Sequence, residues 1–258
     1  MFVLFHGLFL RSLSYQLRNN EASVKRVAVI VAGGRGERFG ESVPKQFALL
    51  GGVPILLRSL LAFERSECID DIILVVREQD RKRVQEVIGT IYSGGDHLTK
   101  IRAIVPGGAE RQDSAFSGVQ AAEVAPGDLI GIHDVVRPLV TTKLICDLYK
   151  AAEKLQAVAP AIPVAETVKR VDGSGRVLET VPRKMLYLTQ TPQVFEADLL
   201  RRAFIKARED GFFAYDDAAL VEHLGHPVTI IQGDPYNLKI TVPEDLVIAE
   251  CVWRQWRR

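Results

Sequence analysis

The sequence predicts an α/β protein: a Rossmann-like open, mostly parallel sheet with helices on both faces and a protruding β-hairpin arm. Three observations carry that expectation. From Val24 onward, short continuous apolar runs alternate with segments of helical period, and such runs suit strands buried on both faces. A glycine- and arginine-rich stretch, Gly33–Gly40, follows the first apolar run directly. Over about 163–188 the alternation breaks around Asp172-Gly173-Ser174-Gly175, a strong turn signal.

Val27–Ala32 (VAVIVA) is the first buried strand, and the glycine-rich stretch is its loop. Ile55–Phe63 has helical spacing, and Ile72–Val76 (IILVV) is the second strand. Asp80–Ile91 sets Val84, Val87, Ile88 and Ile91 on one helical face. Ile101–Val105 is a third strand, Ser114–Ala122 a helix and Leu129–Ile132 a fourth strand. Within Thr142–Leu155, Leu144, Ile145, Leu148, Ala152 and Leu155 form an apolar stripe, and Val158–Ile162 follows as a fifth strand. Thr167–Val171 and Arg176–Thr180 pair as the arm. Helical patterns return at Ala197–Glu209 and Asp217–His223, with a strand at Val228–Ile231. Thr241-Val242-Pro243-Glu244 reads as a capping box, with Thr241 accepting from the Glu244 amide and Glu244 reaching back, and opens a last helix to about Trp253.

Met1–Leu10 (MFVLFHGLFL) is apolar but shorter than the roughly 20 residues a membrane span needs. Residues 1–23 are therefore expected to be a leader or extension ahead of one domain at 24–258. Lys and Arg total 33 against 32 Asp and Glu, so 33 − 32 gives a net charge of +1. This argues against a basic nucleic-acid binder and against an acidic disordered chain. Neither nucleic acid nor membrane is an expected partner. The three cysteines, Cys68, Cys146 and Cys251, are odd in number, far apart and without a C-x-x-C pair. A disulfide framework or zinc module is not expected, and a reducing, cytoplasmic compartment fits best.

Ligands of open α/β sheets bind outside the carboxyl ends of the strands. That directs attention to the loops after Ala32, Val105 and Ile132. The first loop lacks the Lys-Ser or Lys-Thr of a P-loop, and Phe39 stands where a dinucleotide fingerprint needs its third glycine. Arg77 ends the second strand, where an NAD site wants an acid. A dehydrogenase is disfavoured. What remains is a loop carrying Arg38, with Pro44-Lys45-Gln46 close behind; a tight turn with solvated arginines is the plainer alternative. Pro106-Gly107-Gly108-Ala109-Glu110-Arg111-Gln112-Asp113-Ser114 is a second glycine-rich strand-to-helix turn, whose helix amino terminus could take an anion. Alone, an ordinary turn explains it better. In His133-Asp134-Val135-Val136-Arg137-Pro138, Asp134 is placed to act on Mg²⁺ beside phosphates, directly or through water, or to pair with Arg137 as architecture. His133 reads as a structural histidine. Arg183 and Lys239 are isolated cations that composition cannot promote.

Taken in order, AGGRGERFG, PKQF, GGAERQDS, HDVVRP, ETVKR, QTPQVF and NLKITVPEDL resemble the 2-C-methyl-D-erythritol 4-phosphate cytidylyltransferases of the non-mevalonate isoprenoid pathway, from about Val24 to the last helix. The resemblance implies transfer of CMP from CTP to methylerythritol phosphate, with Mg²⁺ and release of pyrophosphate. By motif, Arg38 and Lys45 correspond to the basic pair on the triphosphate, and Arg183 and Lys239 to the residues that position the acceptor. Ala32, Gly33, Gly34 and Gly36, with Gly108, Ala109, Arg111 and Ser114, correspond to the nucleotide-binding loops. Asp134, Val135, Arg137 and Thr167 correspond to positions near the acceptor. The arm looks like the family's dimerisation element, carrying Thr167 to a neighbouring subunit. Val31-Ala32-Gly33-Gly34 stands where some relatives have Pro-Ala-Ala-Gly. Ala109 replaces a ribose-binding Asp, and HDVVRP the commoner Asp-Ala-Ala-Arg-Pro.

The chemistry agrees with the resemblance. A phosphate acceptor, with a second pKa near ~6, needs no general base at neutral pH, so the missing Ser/His/Asp set or carboxylate dyad is expected. Ribitol 5-phosphate cytidylyltransferases share an AGG loop, an HDAVRP-like loop and QTPQ; Arg183 before Leu186 and ETVKR favour methylerythritol phosphate. A noncatalytic nucleotide-binding protein would bind CTP without releasing pyrophosphate.

Overall fold

The computed structural model describes residues 24–34, 44–92 and 97–256. The strands are β1 (Arg26–Ala32), β2 (Leu49–Leu50), β3 (Val53–Pro54), β4 (Asp71–Val76), β5 (Ile101–Pro106), β6 (Leu129–Asp134), β7 (Ala157–Pro163), β8 (Val168–Val171), β9 (Val177–Val181), β10 (Tyr187–Thr189), β11 (Gln193–Glu196) and β12 (Thr229–Gln232). The helices are α1 (Ile55–Glu64), α2 (Arg81–Tyr92), α3 (Arg111–Ala121), α4 (Thr142–Leu155), α5 (Ala197–Glu209), α6 (Asp217–His223) and α7 (Pro243–Trp256).

The main sheet runs β10-β7-β11-β6-β1-β4-β5, with β12 pairing to β7. β1 pairs in parallel with β4 and β6, and β4 with β5. Alternation along β1 explains why its run is apolar throughout. Ala28, Ile30 and Ala32 face a core closed by α1, α2 and α4, whereas Val27, Val29 and Val31 face one closed by α3, α5 and α6. Helices therefore cover both faces, as the continuous apolar strands require. A third cluster joins Ala249 and Val252 of α7 to Leu50, Ile55, Leu139 and Ile240, and so holds the chain carrying Lys239 against the body.

Four strands escaped the sequence pattern: the short β2–β3 pair, and β10 and β11 of the main sheet. β11 is antiparallel and lies between β6 and β7, and β10 pairs antiparallel with β7. Thr189, Gln190, Thr191, Pro192 and Gln193 separate Tyr187-Leu188 from Val194-Phe195, so no continuous apolar run marks either strand. The arm is present as β8 and β9 in a separate two-stranded sheet, largely exposed. Its turn is built as expected: the Asp172 carboxylate accepts from the Ser174 and Arg176 amides, and Gly175 takes φ +83°, a conformation costly for residues with a Cβ.

Three expectations need correction. α7 does not start with a Thr241–Glu244 capping box. Asp245 accepts from the Thr241 and Val242 amides, while the Thr241 hydroxyl donates to the Lys239 carbonyl. α3 begins at Arg111 rather than Ser114, because Glu110 and Asp113 form a reciprocal capping box that starts the helix one turn earlier. Cys68 and Cys146 form a disulfide with a Cα–Cα distance of 5.6 Å. Their 78-residue separation hid the pairing, since the turn after α1 and the early part of α4 meet only in the folded chain. Cys251 remains free and exposed.

Candidate active site

A cavity of about 600 Å³ opens at the carboxyl ends of β1 and β6, where an open α/β sheet binds ligands. Ala32, Gly33 and Gly34 form one wall, and Ala109, Arg111 and Ser114 of the β5–α3 turn another. Lys45, Asp134, Val135 and Lys239 complete it, together with Val31, Gln46, Glu110, Val136 and Thr241, which sequence reasoning did not single out. A smaller cavity of about 100 Å³ shares Arg111, Asp134 and Lys239 and adds Arg137, Thr189, Gln190, Thr191, Gln193, Tyr215 and Asp216.

Ser114 explains one glycine in each loop, Gly33 and Gly107. It is 2% exposed, and its hydroxyl accepts from the Gly108 amide and donates to the Glu110 carbonyl. A Cβ at Gly33 or at Gly107 would meet its Oγ at 3.1 or 2.7 Å. The two backbones can thus approach one another only without side chains. Gly108 itself does not line either cavity; its amide serves to hold Ser114.

The acidic centre is Asp134, at the end of β6 and 7% exposed. One carboxylate oxygen pairs with Arg111 Nε at 2.9 Å and the other with Lys239 Nζ at 2.8 Å. Burial alone would raise its pKa, but Arg111 and Lys239 outweigh it and hold the group well below the usual carboxylate range. The anticipated Asp134–Arg137 pair is not the arrangement found. Arg137 donates to the Asn237 carbonyl at 2.8 Å and to the Thr189 carbonyl at 3.4 Å, which ties the β6 loop to the segment before α7. Arg77, at the end of β4, pairs with Asp80 at 2.7 Å.

His133 has no exposed surface, lies 4.9 Å from the Phe63 ring and meets Thr191 Oγ1 at 3.2 Å. Burial lowers its pKa to about 3, so it stays neutral and serves no acid–base role near neutrality. Its ring protons are expected to show no titration between about pH 7.5 and 5 in NMR spectra; a midpoint in that range would contradict the assignment. The unfolded chain takes up a proton below about pH 6.5 that the folded ring refuses. Stability owed to this group is therefore complete above that pH and declines as the pH falls toward 3.

Arg183 and Thr167 do not join either cavity of their own chain. Arg183 donates to the Ala165 carbonyl at the foot of the arm, and Thr167 is exposed just before β8. Gly36 and Arg38 lie outside the described residues. Among the described residues no group of three or more His, Cys, Asp or Glu side chains is placed to hold a metal, and no helix is long and apolar enough to cross a membrane.

A doubly wound sheet whose ligand cavity is walled by two glycine-rich turns and lined by Lys45, Arg111 and Lys239 has the layout of a nucleotide-binding transferase. The family model described as "IspD: 2-C-methyl-D-erythritol 4-phosphate cytidylyltransferase" matches residues 26–255. The chain belongs to that cytidylyltransferase family. It is 42% identical over 226 residues to the 2-C-methyl-D-erythritol 4-phosphate cytidylyltransferase of Syntrophus aciditrophicus, covering 88% of this chain and 94% of that protein. It is 44% identical to the one from Desulforamulus reducens, covering 87% and 94%. Among solved structures, the 4-diphosphocytidyl-2C-methyl-D-erythritol synthase of Anaerococcus prevotii superposes with a TM-score of 0.76 at 29% identity, over 90% of this chain and 96% of that one. The Thermus thermophilus cytidylyltransferase gives 0.70 at 33% identity, over 89% and 99%.

Proposed function

We propose that this protein transfers CMP from CTP to 2-C-methyl-D-erythritol 4-phosphate, giving 4-diphosphocytidyl-2-C-methyl-D-erythritol and pyrophosphate in isoprenoid precursor synthesis. The observation that carries it is the cavity in which Lys45, Arg111 and Lys239 face the two glycine-rich turns, in a chain whose family model spans residues 26–255. The acceptor phosphate oxygen attacks the α-phosphorus of CTP. A P–O bond forms there, the bond to the bridging oxygen breaks, and pyrophosphate leaves with that electron pair. No proton need be removed from a phosphate dianion, which fits the neutral, buried His133. Catalysis then consists of in-line positioning and neutralisation of charge. Lys45 faces the triphosphate, to which Arg38 is assigned by its motif alone; Lys239, held on Asp134, receives the acceptor phosphate.

Mg²⁺ belongs to this proposal. Both Asp134 oxygens are ion-paired, so an ion arriving with the triphosphate and separated from Asp134 by water suits the donor set better than direct ligation. When bound, it neutralises phosphate oxygens. Incubation with CTP, Mg²⁺ and methylerythritol phosphate should release pyrophosphate, and chelation should stop it. No release by folded protein sinks the reading, and faster release with ribitol 5-phosphate would reassign the acceptor.

A homodimer through the arm is also proposed. Leu178 is 58% and Met185 80% exposed on an element that adds nothing to its own core. Arg183 and Thr167 fit a role at the neighbouring subunit's site. The wild-type chain is expected to sediment as a dimer and a Leu178→Asp, Met185→Asp variant as a monomer; an unchanged dimer would remove the arm from the interface. The cytoplasmic location proposed from the scattered cysteines stands against the Cys68–Cys146 bond, which favours an oxidising one. Thiol counting on protein trapped in intact cells separates the two.

A further inference from the structure

Behind the cations of the two cavities lies a charged group that lines neither. Asp217 opens α6, has no exposed surface and accepts from Arg111 Nη2 at 2.8 Å. Its other oxygen, Oδ1, has no hydrogen-bond partner. Ala218, Leu220 and Val221 beside it pack into the core. A half-satisfied buried carboxylate is costly to keep, and burial pushes its pKa up despite Arg111. Its pair with Arg111 satisfies only one of its two oxygens, so the carboxylate is a costly way to hold that cation.

What the carboxylate does is divide the guanidinium of Arg111. Nε goes to Asp134 and Nη2 to Asp217, so the planar fork is gripped from two directions. Asp134 in turn holds Lys239. The four groups come from α6, α3, the end of β6 and the segment before α7, and the last three line both cavities. We propose that Asp217 is a positioning residue for the acceptor: it clamps Arg111, Arg111 orients the Asp134 carboxylate, and that carboxylate aims Lys239 at the incoming phosphate. This inference rests on the cytidylyltransferase reading above.

The test measures KM for methylerythritol phosphate and for CTP, and kcat, in wild type, Asp217→Asn and Asp217→Glu. The Asn variant keeps shape and loses charge, and the Glu variant keeps charge and displaces it. A small misplacement of reacting groups can cost as much as about 10²-fold. The Asn variant is expected to raise the acceptor KM by about tenfold or more, and by more than the CTP KM, which shifts too because Arg111 also lines the nucleotide wall; the Glu variant falls between wild type and Asn. KM does not depend on how much enzyme is folded, so partial instability of either variant does not obscure the result. Unchanged acceptor KM in the variants, or equal changes in both KM values, would overturn the role. An inactive wild type would instead overturn the proposed reaction, so the two failures are distinguishable.

Discussion

Turnover by a Lys45→Ala enzyme is expected to fall about 10²–10³-fold, the usual loss when one well-placed charge donor is removed, with the fold intact. Lys45 begins a single 3-10 turn, Lys45–Phe47, whose other two residues are both buried. Gln46 is 2% exposed and donates to Asp80 at 3.2 Å. Phe47 is 5% exposed, with the Arg83 guanidinium 4.2 Å from its ring centre. Alanine therefore deletes a charge on the cavity wall and leaves the turn in place. Pyrophosphate release and a thermal melt, run on the same preparation, check both halves. Turnover within about threefold of wild type, a difference worth less than 1 kcal/mol, would remove Lys45 from the reaction. Arg38→Ala is expected to behave in the same way.

Asp134→Ala should damage activity and stability together. It leaves Lys239 without its carboxylate and Arg111 with Asp217 alone. Removing one partner of a buried ion pair costs about 3–5 kcal/mol, and the retained Asp217 contact places the expected loss at the lower end, about 3 kcal/mol. Activity should fall by about 10²-fold or more, because the cation facing the acceptor loses its support. Urea melts at neutral pH and steady-state assays read the two effects separately. Because the folded pKa is depressed, the stabilisation by Asp134 is complete above the unfolded carboxylate value near ~3.9 and is lost only as pH falls below it. The difference between wild type and variant should thus stay flat from about pH 5 to 8. A difference that shrinks within that range would mean the carboxylate is not held by its cations.

These expectations draw unequally on sequence and structure. The buried strands were legible because each side of the sheet demands an apolar residue, and VAVIVA in β1 supplies both sides. Helical stripes such as that of α4 were equally plain, and the structure places α4 at Thr142–Leu155 as expected. Lys45 and Asp134 could be singled out because they stand in motifs behind strand ends, and Lys239 only through the family resemblance; the structure brings all three to one cavity. Asp217 could not. In Tyr215-Asp216-Asp217-Ala218 it resembles any acid at a helix start, and only its burial against Arg111 distinguishes it.

Sequence by itself determined the buried parallel strands, most of the helices, the arm's turn and the family, since periodicity, turn chemistry and motif order act over a few residues at a time. Tertiary structure alone decided the insertion of β11 between β6 and β7, the Cys68–Cys146 bond and the exchange of Arg137 for Arg111 and Lys239 as partners of Asp134. It also set Arg111 on Asp217 across 106 positions and Arg137 on Asn237 across 100. The physical reason is that a charge's partner is whichever opposite group the strand order brings within about 3 Å. Local propensity carries no information about that order, so the cations could be recognised from sequence while their pairing could not.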